Sequence, residues 1–401
     1  MTASSAVVLA AGEGKRLRPL TRHRPKPMLP AATRPILEHV LDALVEAGVR
    51  QIHLVVGYRG NCVRDHFGSE HRGVGINYVE QDKQLGSGHA LFAARDEVDD
   101  VFLVVEGDKI IDSKTVSAVR DAFARADSTA AVGVVERDTI GEHDAVLLDG
   151  TRVRKIAESP DNEHRLLNSG VYAVDERIFE AIEATPTVAG EVSLTDTLSR
   201  LTDADVEIHG VRTDGLWVNA THPWKLLDLN RELLVRKQMS NPQSGAHRDE
   251  RVWVADTARV HDSAVLQPPV VVGSDCDVRP GAVVGPFVSL GQHTIVGSNA
   301  VVQHSVLDSD TRVGANATLV DCVTGQGVRL GAGCTIPGGP TAVQANGSIY
   351  EDQQLGALLA DRVHVGGNAS FEPGTLVGSG VRINAGVSVS GTVEERATVV
   401  N

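Results

Sequence analysis

A six-residue periodicity in the last third of the chain restricts its fold more than any other feature of the sequence. Apolar residues recur at every sixth position in two runs, which are Val278, Val284, Leu290, Val296 and Val302, and then Val365, Phe371, Val377, Ile383 and Val389. An amphipathic helix would need apolar residues at spacings of three and four, which this stretch lacks. The hexad repeat instead predicts a triangular β-coil, in which each turn stacks its apolar residue on the one below.

The first half of the chain shows a different pattern, in which helix and strand signals alternate. Apolar residues at helical spacing follow Pro35 as far as Gly48, and the apolar run at 52–56 comes next. Strand–helix–strand units of this kind predict a mostly parallel sheet that binds ligands at the carboxyl ends of its strands. We therefore predict an α/β domain over residues 1–235, a polar linker over 236–250 and a β-helix over 251–401. An insertion interrupts the repeat near 337–359.

A glycine-rich segment after the first apolar run carries the strongest indication of chemistry. Residues 9–30 read LAAGEGKRLRPLTRHRPKPMLP. Glycines without side chains let backbone N–H groups close on a phosphate chain, and the cations balance its charge. A lone G-x-G often serves only as a turn in α/β folds, but a turn requires neither Arg16 nor the proline-flanked Lys26. A nucleoside triphosphate is the ligand that suits this surface best.

The first 235 residues resemble the sugar-1-phosphate nucleotidylyltransferases, because they contain the G-x-G-x-R and P-K-P elements of that family. The hexad region resembles left-handed β-helix domains with hexapeptide repeats. Together they resemble the family of the bifunctional N-acetylglucosamine-1-phosphate uridylyltransferase/glucosamine-1-phosphate acetyltransferase. The resemblance implies a Rossmann-like nucleotidyltransferase domain followed by a left-handed parallel β-helix. It also implies Mg²⁺-dependent transfer of a nucleotidyl group to a sugar-1-phosphate, with release of pyrophosphate.

The resemblance further implies a role for each residue that matches a family motif. Arg16 would stabilise the triphosphate and the leaving pyrophosphate, and Lys26 would bridge both substrates at the reacting phosphate. Asp108, which follows a buried apolar run, and Asn219 would ligate Mg²⁺. The residues expected to contact the nucleotide are Leu9, Ala10, Ala11, Gly12, Gly14, Gln81, Gly86 and Ser87.

The sugar pocket follows the family pattern less closely. Glu158 and Asn168 match the family's ligands of sugar hydroxyls, whereas Ser159 stands where many relatives carry lysine. Glu106 and the Asp144-Ala145 pair also depart from the usual residues. The sequence thus leaves N-acetylglucosamine-1-phosphate and glucose-1-phosphate open as acceptors, and UTP and dTTP open as donors. The alternatives are a glucose-1-phosphate thymidylyltransferase and a non-catalytic regulatory subunit that binds sugar nucleotides. The shared presence of the cations and the metal pair favours an enzyme.

The β-helix lacks the acetyltransferase pattern of bifunctional relatives. Residues 313–319 read VGANATL, without the family's His and Tyr, and no lysine follows Lys237. We predict that this domain stabilises and assembles the chain instead, giving a homo-oligomer for which a trimer is the first candidate.

Composition limits the partners. A net charge of −14 argues against nucleic acid and anionic membranes. The four cysteines form no C-x-x-C motif, which indicates buried thiols in a reducing compartment. With no signal peptide or membrane span in the pattern, we expect a soluble, cytoplasmic protein whose substrates are small molecules.

Overall fold

A computed structural model describes residues 3–126, 128–137, 144–157, 166–236, 245–249 and 251–400. Their packing forms two compact units. The first unit consists of residues 1–14, 24–28 and 36–219, and the second consists of residues 15–23, 29–35 and 220–401.

The α/β region contains seven helices within the described residues: α1 Ile36–Glu46, α2 Gly60–Phe67, α3 Ser87–Phe92, α4 Ser113–Arg125, α5 Arg177–Glu183, α6 Leu194–Asp203 and α7 Lys225–Val235. Short 3₁₀ turns lie at Lys15–Leu17, Leu20–Arg22, Lys26–Met28 and Arg95–Glu97. Its strands are β1 Ser5–Leu9, β2 Pro30–Ala31, β3 Arg34–Pro35, β4 Gln51–Val56, β5 Glu70–His71, β6 Val74–Glu80, β7 Val101–Glu106, β8 Lys109–Ile111, β9 Ala130–Glu136, β10 Ala145–Asp149, β11 Arg152–Ala157, β12 Leu166–Asp175, β13 Ile208–Thr213 and β14 Trp217–Asn219.

Ten of these strands form one twisted sheet in the order β10-β11-β13-β9-β12-β7-β1-β4-β6-β5. Its centre, from β7 to β6, is parallel, and β12 runs antiparallel between β7 and β9. The central strands are buried on both faces, as their continuous apolar runs predict. The carboxyl ends of β1 and β7 lie side by side, with Leu9 in register with Glu106. This arrangement confirms the predicted Rossmann-like fold.

The hexad region coils through three sheets, which confirms the predicted left-handed β-helix. Their strands pair in parallel, except that the first strand of the nine-stranded sheet, Gly245–Asp249, is antiparallel to Val252–Ala255. A nine-stranded sheet contains Gly245–Asp249, Val252–Ala255, Val270–Val272, Val288–Leu290, Val306–Leu307, Cys322–Thr324, Ala357–Leu359, Thr375–Val377 and Thr392–Val393. An eight-stranded sheet contains Arg259–Val260, Asp277–Val278, Ile295–Val296, Arg312–Val313, Arg329–Leu330, His364–Val365, Arg382–Ile383 and Thr398–Val399. A seven-stranded sheet contains Val265–Leu266, Val283–Val284, Val301–Gln303, Thr318–Val320, Thr335–Ile336, Ser370–Phe371 and Ser388–Val389.

The hexad residues form the interior of this coil. Val278 lies in register with Val296, and Val296 with Val313, so each apolar side chain stacks on the next coil. All ten residues of the two hexad runs are buried in one apolar cluster. Burial of this column is the main favourable contribution to the coil.

The nine-stranded sheet is buried on its outer face as well. Trp253, Val271, Val306, Val323 and Leu358 alternate with the interior residues and are almost inaccessible to solvent. Helix α7 packs against this sheet within the second unit, and the amide of Asn230 on α7 donates to the carbonyl oxygen of Phe287 at 3.2 Å. A helix close to the chain's midpoint therefore packs as part of the β-helix unit.

Between strands Thr335–Ile336 and Ala357–Leu359, the register is interrupted by an antiparallel hairpin of strands Pro340–Ala345 and Ser348–Gln354, which we name the 340–354 hairpin. It lies within the predicted insertion near 337–359. None of the helices in the described part of the chain is long and apolar enough to cross a membrane.

Candidate active site

Asp108 lies in a tight turn between β7 and β8 at the carboxyl edge of the sheet. The backbone N–H of Gly107 donates to the carbonyl oxygen of Leu9 at 2.9 Å. A Cβ atom at position 107 would lie 3.1 Å from that oxygen, so a residue without a side chain allows this close approach. The turn thereby places Asp108 beside the end of β1, from which the glycine-rich segment begins.

A two-stranded ribbon places Asn219 near Asp108 at the carboxyl edge of the sheet. Strand β14 pairs antiparallel with β8, and Asn219 lies in register with Lys109. The indole N–H of Trp217 donates to the carbonyl oxygen of Ser169 at 3.0 Å and anchors β14. The ribbon therefore brings together two residues that are far apart in the chain.

The ammonium group of Lys26 lies between these two side chains. Its Nζ is 2.7 Å from Oδ2 of Asp108 and donates to Oδ1 of Asn219 at 2.7 Å. Lys26 is 8% exposed, so this cation is held at the floor of the site and does not extend into solvent. Burial alone would raise the pKa of Asp108, but attraction to Lys26 and Lys109 outweighs it and lowers that pKa. Asp108 is thus kept as a carboxylate.

This donor set fits a magnesium ion. A carboxylate oxygen and an amide oxygen converge on a point that already holds a cationic group, and both are hard ligands of the kind that Mg²⁺ prefers. No cluster of three or more His, Cys, Asp or Glu side chains suited to a metal was found within the described residues. An ion held by Asp108 and Asn219 would therefore take its remaining ligands from substrate phosphates and water.

A buried polar network extends from this point along the sheet. The carboxylate of Glu106 contacts Nζ of Lys109 at 2.8 Å and accepts from the hydroxyl of Tyr172 at 3.0 Å. Burial would lower the pKa of Lys109, but Glu106, Asp108 and Asp144 outweigh it and raise that pKa. Burial, with the charge of Glu106, raises the pKa of Tyr172 well above its usual value. Lys109 is therefore a second buried cation beside Asp108.

The sequence reasoning missed Lys109 and Tyr172. The available signal was a lysine directly after the Gly-Asp turn, since a lysine at the edge of a buried strand needs an anionic partner. Tyr172 lies within an apolar strand, where only the known position of Glu106 would have revealed its hydroxyl partner.

Asn168, predicted to bind sugar hydroxyls, belongs to the same network. Its amide N–H donates to the hydroxyl of Tyr172 at 2.7 Å, and its oxygen accepts from the N–H of Gly170 at 3.0 Å. Both ends of the amide thus have protein partners, which makes Asn168 part of the buried hydrogen-bond network in this structure. Its contact with sugar stays a prediction. Glu158 lies outside the described residues.

The predicted base-reading segment is held by its own hydrogen bonds. Nε2 of Gln81 donates to the carbonyl oxygen of Gly86 at 3.1 Å and lies 3.0 Å from Nδ1 of His89. The hydroxyl of Ser87 accepts from the backbone N–H of Leu194 at 2.9 Å, at the start of α6. The structure thus brings Gln81 and Gly86 together and gives Ser87 a structural contact. Contacts of all three with a nucleotide stay predictions.

The glycine-rich segment is divided between the two units. Leu9, Ala10, Ala11, Gly12 and Gly14 belong to the first unit, where the N–H of Ala10 donates to the carbonyl oxygen of Val55 at 2.9 Å. Arg16 belongs to the second unit and is exposed. The contacts of these six residues with a nucleotide stay predictions.

Comparison with known proteins identifies the family of the chain. The model of the nucleotidyl transferase family matches residues 5–234, and that of the GMPPB C-terminal domain matches residues 274–393. Over 98% of its length, the chain is 31% identical to the bifunctional protein GlmU of Methanocaldococcus jannaschii, of which 97% is covered. It is 34% identical to UTP–glucose-1-phosphate uridylyltransferase AglF of Haloferax volcanii, over 54% of this chain and 91% of that protein.

A solved structure supports the fold of the first region. UDP-glucose pyrophosphorylase in complex with UDP-glucose superposes with a TM-score of 0.52 at 19% identity, covering 58% of this chain and 99% of that one. The fold and the family match together define an α/β nucleotidyltransferase with an appended β-helix. The chain belongs to the nucleotidyl transferase family, and sugar-nucleotide enzymes are among its relatives.

Proposed function

We propose that the protein is a sugar-1-phosphate nucleotidylyltransferase that transfers a uridylyl group from UTP to N-acetylglucosamine-1-phosphate or glucose-1-phosphate, in the presence of Mg²⁺. The observation that carries the proposal is the placement of the Lys26 ammonium 2.7 Å from oxygens of both Asp108 and Asn219. A binding-only protein has no need to hold a buried cation and two metal-type oxygens at one point. This argues against the alternative of a regulatory subunit.

The reaction needs no nucleophile from the protein. A phosphate oxygen of the sugar-1-phosphate attacks the α-phosphorus of the nucleotide, and the bond from that phosphorus to the β-phosphate bridging oxygen breaks as pyrophosphate leaves. The attacking oxygen is already ionised, so catalysis consists of bringing two anions together in line and neutralising the charge that develops. Lys26 is the group proposed to contact the reacting phosphate, and Arg16 is proposed to bind the triphosphate and the leaving pyrophosphate.

Asp108 and Asn219 are the residues proposed to hold the magnesium ion. When bound, Mg²⁺ would neutralise phosphate charge and help to align the reacting groups. Asp108 directly precedes β8, and Asn219 lies on the strand that pairs with β8, so the ribbon holds the two residues near each other. Lys109 adds a second buried positive charge next to Asp108, which favours binding of polyanions at this edge of the sheet.

The donor nucleotide is proposed to be UTP, with dTTP as the alternative. The Haloferax volcanii relative is named for transfer from UTP, which supports UTP as the donor. Gln81 supports a pyrimidine because an amide both donates and accepts hydrogen bonds. Both sugar-1-phosphates are kept as candidate acceptors. Glu106 already contacts Lys109 and Tyr172, and no described contact selects one sugar. A soluble, cytoplasmic homo-oligomer, with a trimer as first candidate, completes the proposal.

The test is a pyrophosphate-release screen of UTP, dTTP, CTP, GTP and ATP against both sugar-1-phosphates with Mg²⁺. We expect the highest rate with UTP, and loss of at least about 10²-fold in kcat for Lys26→Ala, because a positioned charge at the reacting phosphate is removed. The matched control is Lys114→Ala, which removes an exposed lysine on α4 and should leave turnover unchanged. Unchanged turnover in Lys26→Ala, or no pyrophosphate with any pair, would refute the proposal.

A further inference from the structure

The 340–354 hairpin is an addition to the β-helix that the coil does not need. Ala357 stacks on Cys322, which is 35 positions earlier, whereas Thr375 stacks on Ala357 after only 18. The extra residues form two antiparallel strands joined by Asn346 and Gly347, whose φ angles of 52° and 80° are those of a tight hairpin turn. Most of its side chains are exposed, including Ile349 at 65%. Its exposed side chains therefore do not contribute to the apolar interior of the coil.

The base of the hairpin is fixed by a buried carboxylate. Oδ2 of Asp321 accepts from the backbone N–H of Gly339 at 3.0 Å and from the side-chain amide of Gln354 at 2.6 Å. These two donors flank the hairpin at its start and its end, and Asp321 itself is 2% exposed. Hydrogen bonds to a buried charge are among the stronger ones in proteins. The hairpin therefore leaves the coil in a defined direction.

Its middle packs on the segment that follows Asn219. The ring of Tyr350 lies 4.5 Å from that of His222 and 5.2 Å from that of Trp224. His222 and Trp224 are themselves stacked at 4.8 Å and are almost fully buried. All three residues belong to the second unit. This cluster restrains the chain between the proposed metal ligand and α7.

Its tip reaches the cationic part of the glycine-rich segment. The side-chain amide of Asn346 donates to the carbonyl oxygen of Arg16 at 3.4 Å. A second contact comes from a corner of the coil, where Glu395 pairs with Nε of Arg22 at 2.7 Å. Residues 15–23 pack in the same unit as the β-helix, so these contacts hold the arginine-bearing segment by its backbone and by one side chain.

We propose that the 340–354 hairpin is a positioning element of the transferase, which restrains residues 15–23 at its tip and residues 220–224 at its middle. This inference rests on the proposed function, because Arg16 matters there for the triphosphate. Its consequence is that the β-helix contributes to nucleotide binding within its own chain. Removing the contacts should therefore weaken binding of the nucleoside triphosphate more than it slows the chemical step.

The first readout is steady-state kinetics with UTP. Tyr350→Ala combined with Asn346→Gly removes both contacts and keeps a residue that tolerates the positive φ of the turn. We expect the KM for UTP to rise about tenfold with little change in kcat, as misplacement of a binding group predicts. Tyr350→Phe keeps the ring and should behave as wild type. Ile349→Ala, in the same hairpin but exposed, is the matched control and should also behave as wild type.

The second readout does not depend on activity. Lys15 and Arg16 are exposed trypsin sites, so cleavage there reports how well the segment is restrained. We expect faster cleavage at these positions in the double variant and an unchanged rate in Ile349→Ala. Unchanged cleavage would overturn the proposal even if the wild type showed no transferase activity. Faster cleavage with an unchanged KM would also overturn it, because the hairpin would then restrain residues 15–23 without affecting nucleotide binding.

Discussion

At the scale of single residues, the position of Lys26 at the centre of the proposed site depends on Gly14. Gly14 has a φ of +71°, and a Cβ atom there would lie 2.6 Å from Cβ of Lys26. Gly12, by contrast, has no neighbour within 4 Å of such an atom. Gly14 thus makes room for Lys26, the proposed catalytic cation, whereas Gly12 leaves open space on the side where a phosphate chain is proposed to bind.

This difference between Gly12 and Gly14 predicts different effects for their substitution by alanine. Gly12→Ala should leave the melting temperature unchanged but raise the KM for UTP, because the added methyl group blocks close approach of phosphate. Gly14→Ala should displace Lys26, lower kcat and cost about 1–3 kcal/mol of unfolding free energy. Thermal unfolding and steady-state kinetics measure both effects. Gly150→Ala controls for backbone strain alone, since its φ is +61° and no atom lies within 4 Å. Equal kcat for Gly14→Ala and Gly150→Ala would contradict this account.

Residue motifs predicted which side chains would matter at the proposed site, but not how they are connected. The motifs point to Lys26, Asp108 and Asn219, and in the structure Lys26 contacts both of the other two. The link from Glu106 to Lys109 and Tyr172 was not foreseen, because β7 and β12 are neighbours only in the folded sheet. Asn168 likewise takes both of its amide partners from its own strand, which no motif indicates.

At the scale of elements, the eight-stranded sheet carries an exposed column of like charges. Arg312, Arg329, His364 and Arg382 lie in register on successive coils and are all exposed. Like charges opposite one another on a sheet face destabilise it. Partial burial, together with Arg329 and Arg382, lowers the pKa of His364 from its usual 6.5.

This column predicts a pH dependence of stability. Because the folded-state pKa of His364 lies below 6.5, the unfolded chain binds the proton more tightly. The contribution of neutral His364 to the free energy of unfolding is therefore fully present above about pH 6.5 and is lost as the pH falls towards the folded-state pKa. Arg329→Gln should raise the pKa of His364 in an NMR titration and reduce the loss of stability between about pH 7.5 and 5.5. Arg259→Gln, at the far end of the same sheet, should change neither the pKa of His364 nor the pH dependence of stability. An equal shift of that pKa in both variants would show that the proximity of Arg329 is not responsible.

At the scale of the whole molecule, packing does not follow chain order. Residues 15–23 and 29–35, together with α7, belong to the same unit as the β-helix, although they lie in sequence within the α/β region. For α7 the outer face of the nine-stranded sheet supplies the reason, because its apolar side chains are buried where this helix packs. The domain boundary predicted at residue 235 follows the end of the helix and strand pattern, which contains no information about this packing.

Three of the four cysteines are predicted to report unfolding of the β-helix. Burial raises the pKa of Cys276 to about 12 and raises the pKa values of Cys322 and Cys334 as well. All three thiols lie in the interior cluster, so they should resist a disulfide reagent at about pH 8 until the coil opens. Cys62, half-exposed on α2, should react in the native protein.

The measurement is the rate of thiol labelling against denaturant concentration, followed by absorbance. A Cys62→Ser variant should lose the native-state reaction and keep the three slow thiols. Those three should react with the same dependence on denaturant as the loss of β-sheet circular dichroism. Rapid labelling of any of them in native buffer would contradict an intact interior column.

The sequence alone indicated the two fold classes, the helix after Pro35, the hexad repeat and its interruption, and the candidate residues of the glycine-rich segment. These properties depend on local periodicity and on short motifs, which the chain carries wherever it folds. Only the tertiary structure decided which partners meet across long separations, such as Lys26 with Asn219 and Asn346 with Arg16. Such contacts depend on how apolar faces are covered and on which strand ends become neighbours, and neither is written in any single stretch of the chain.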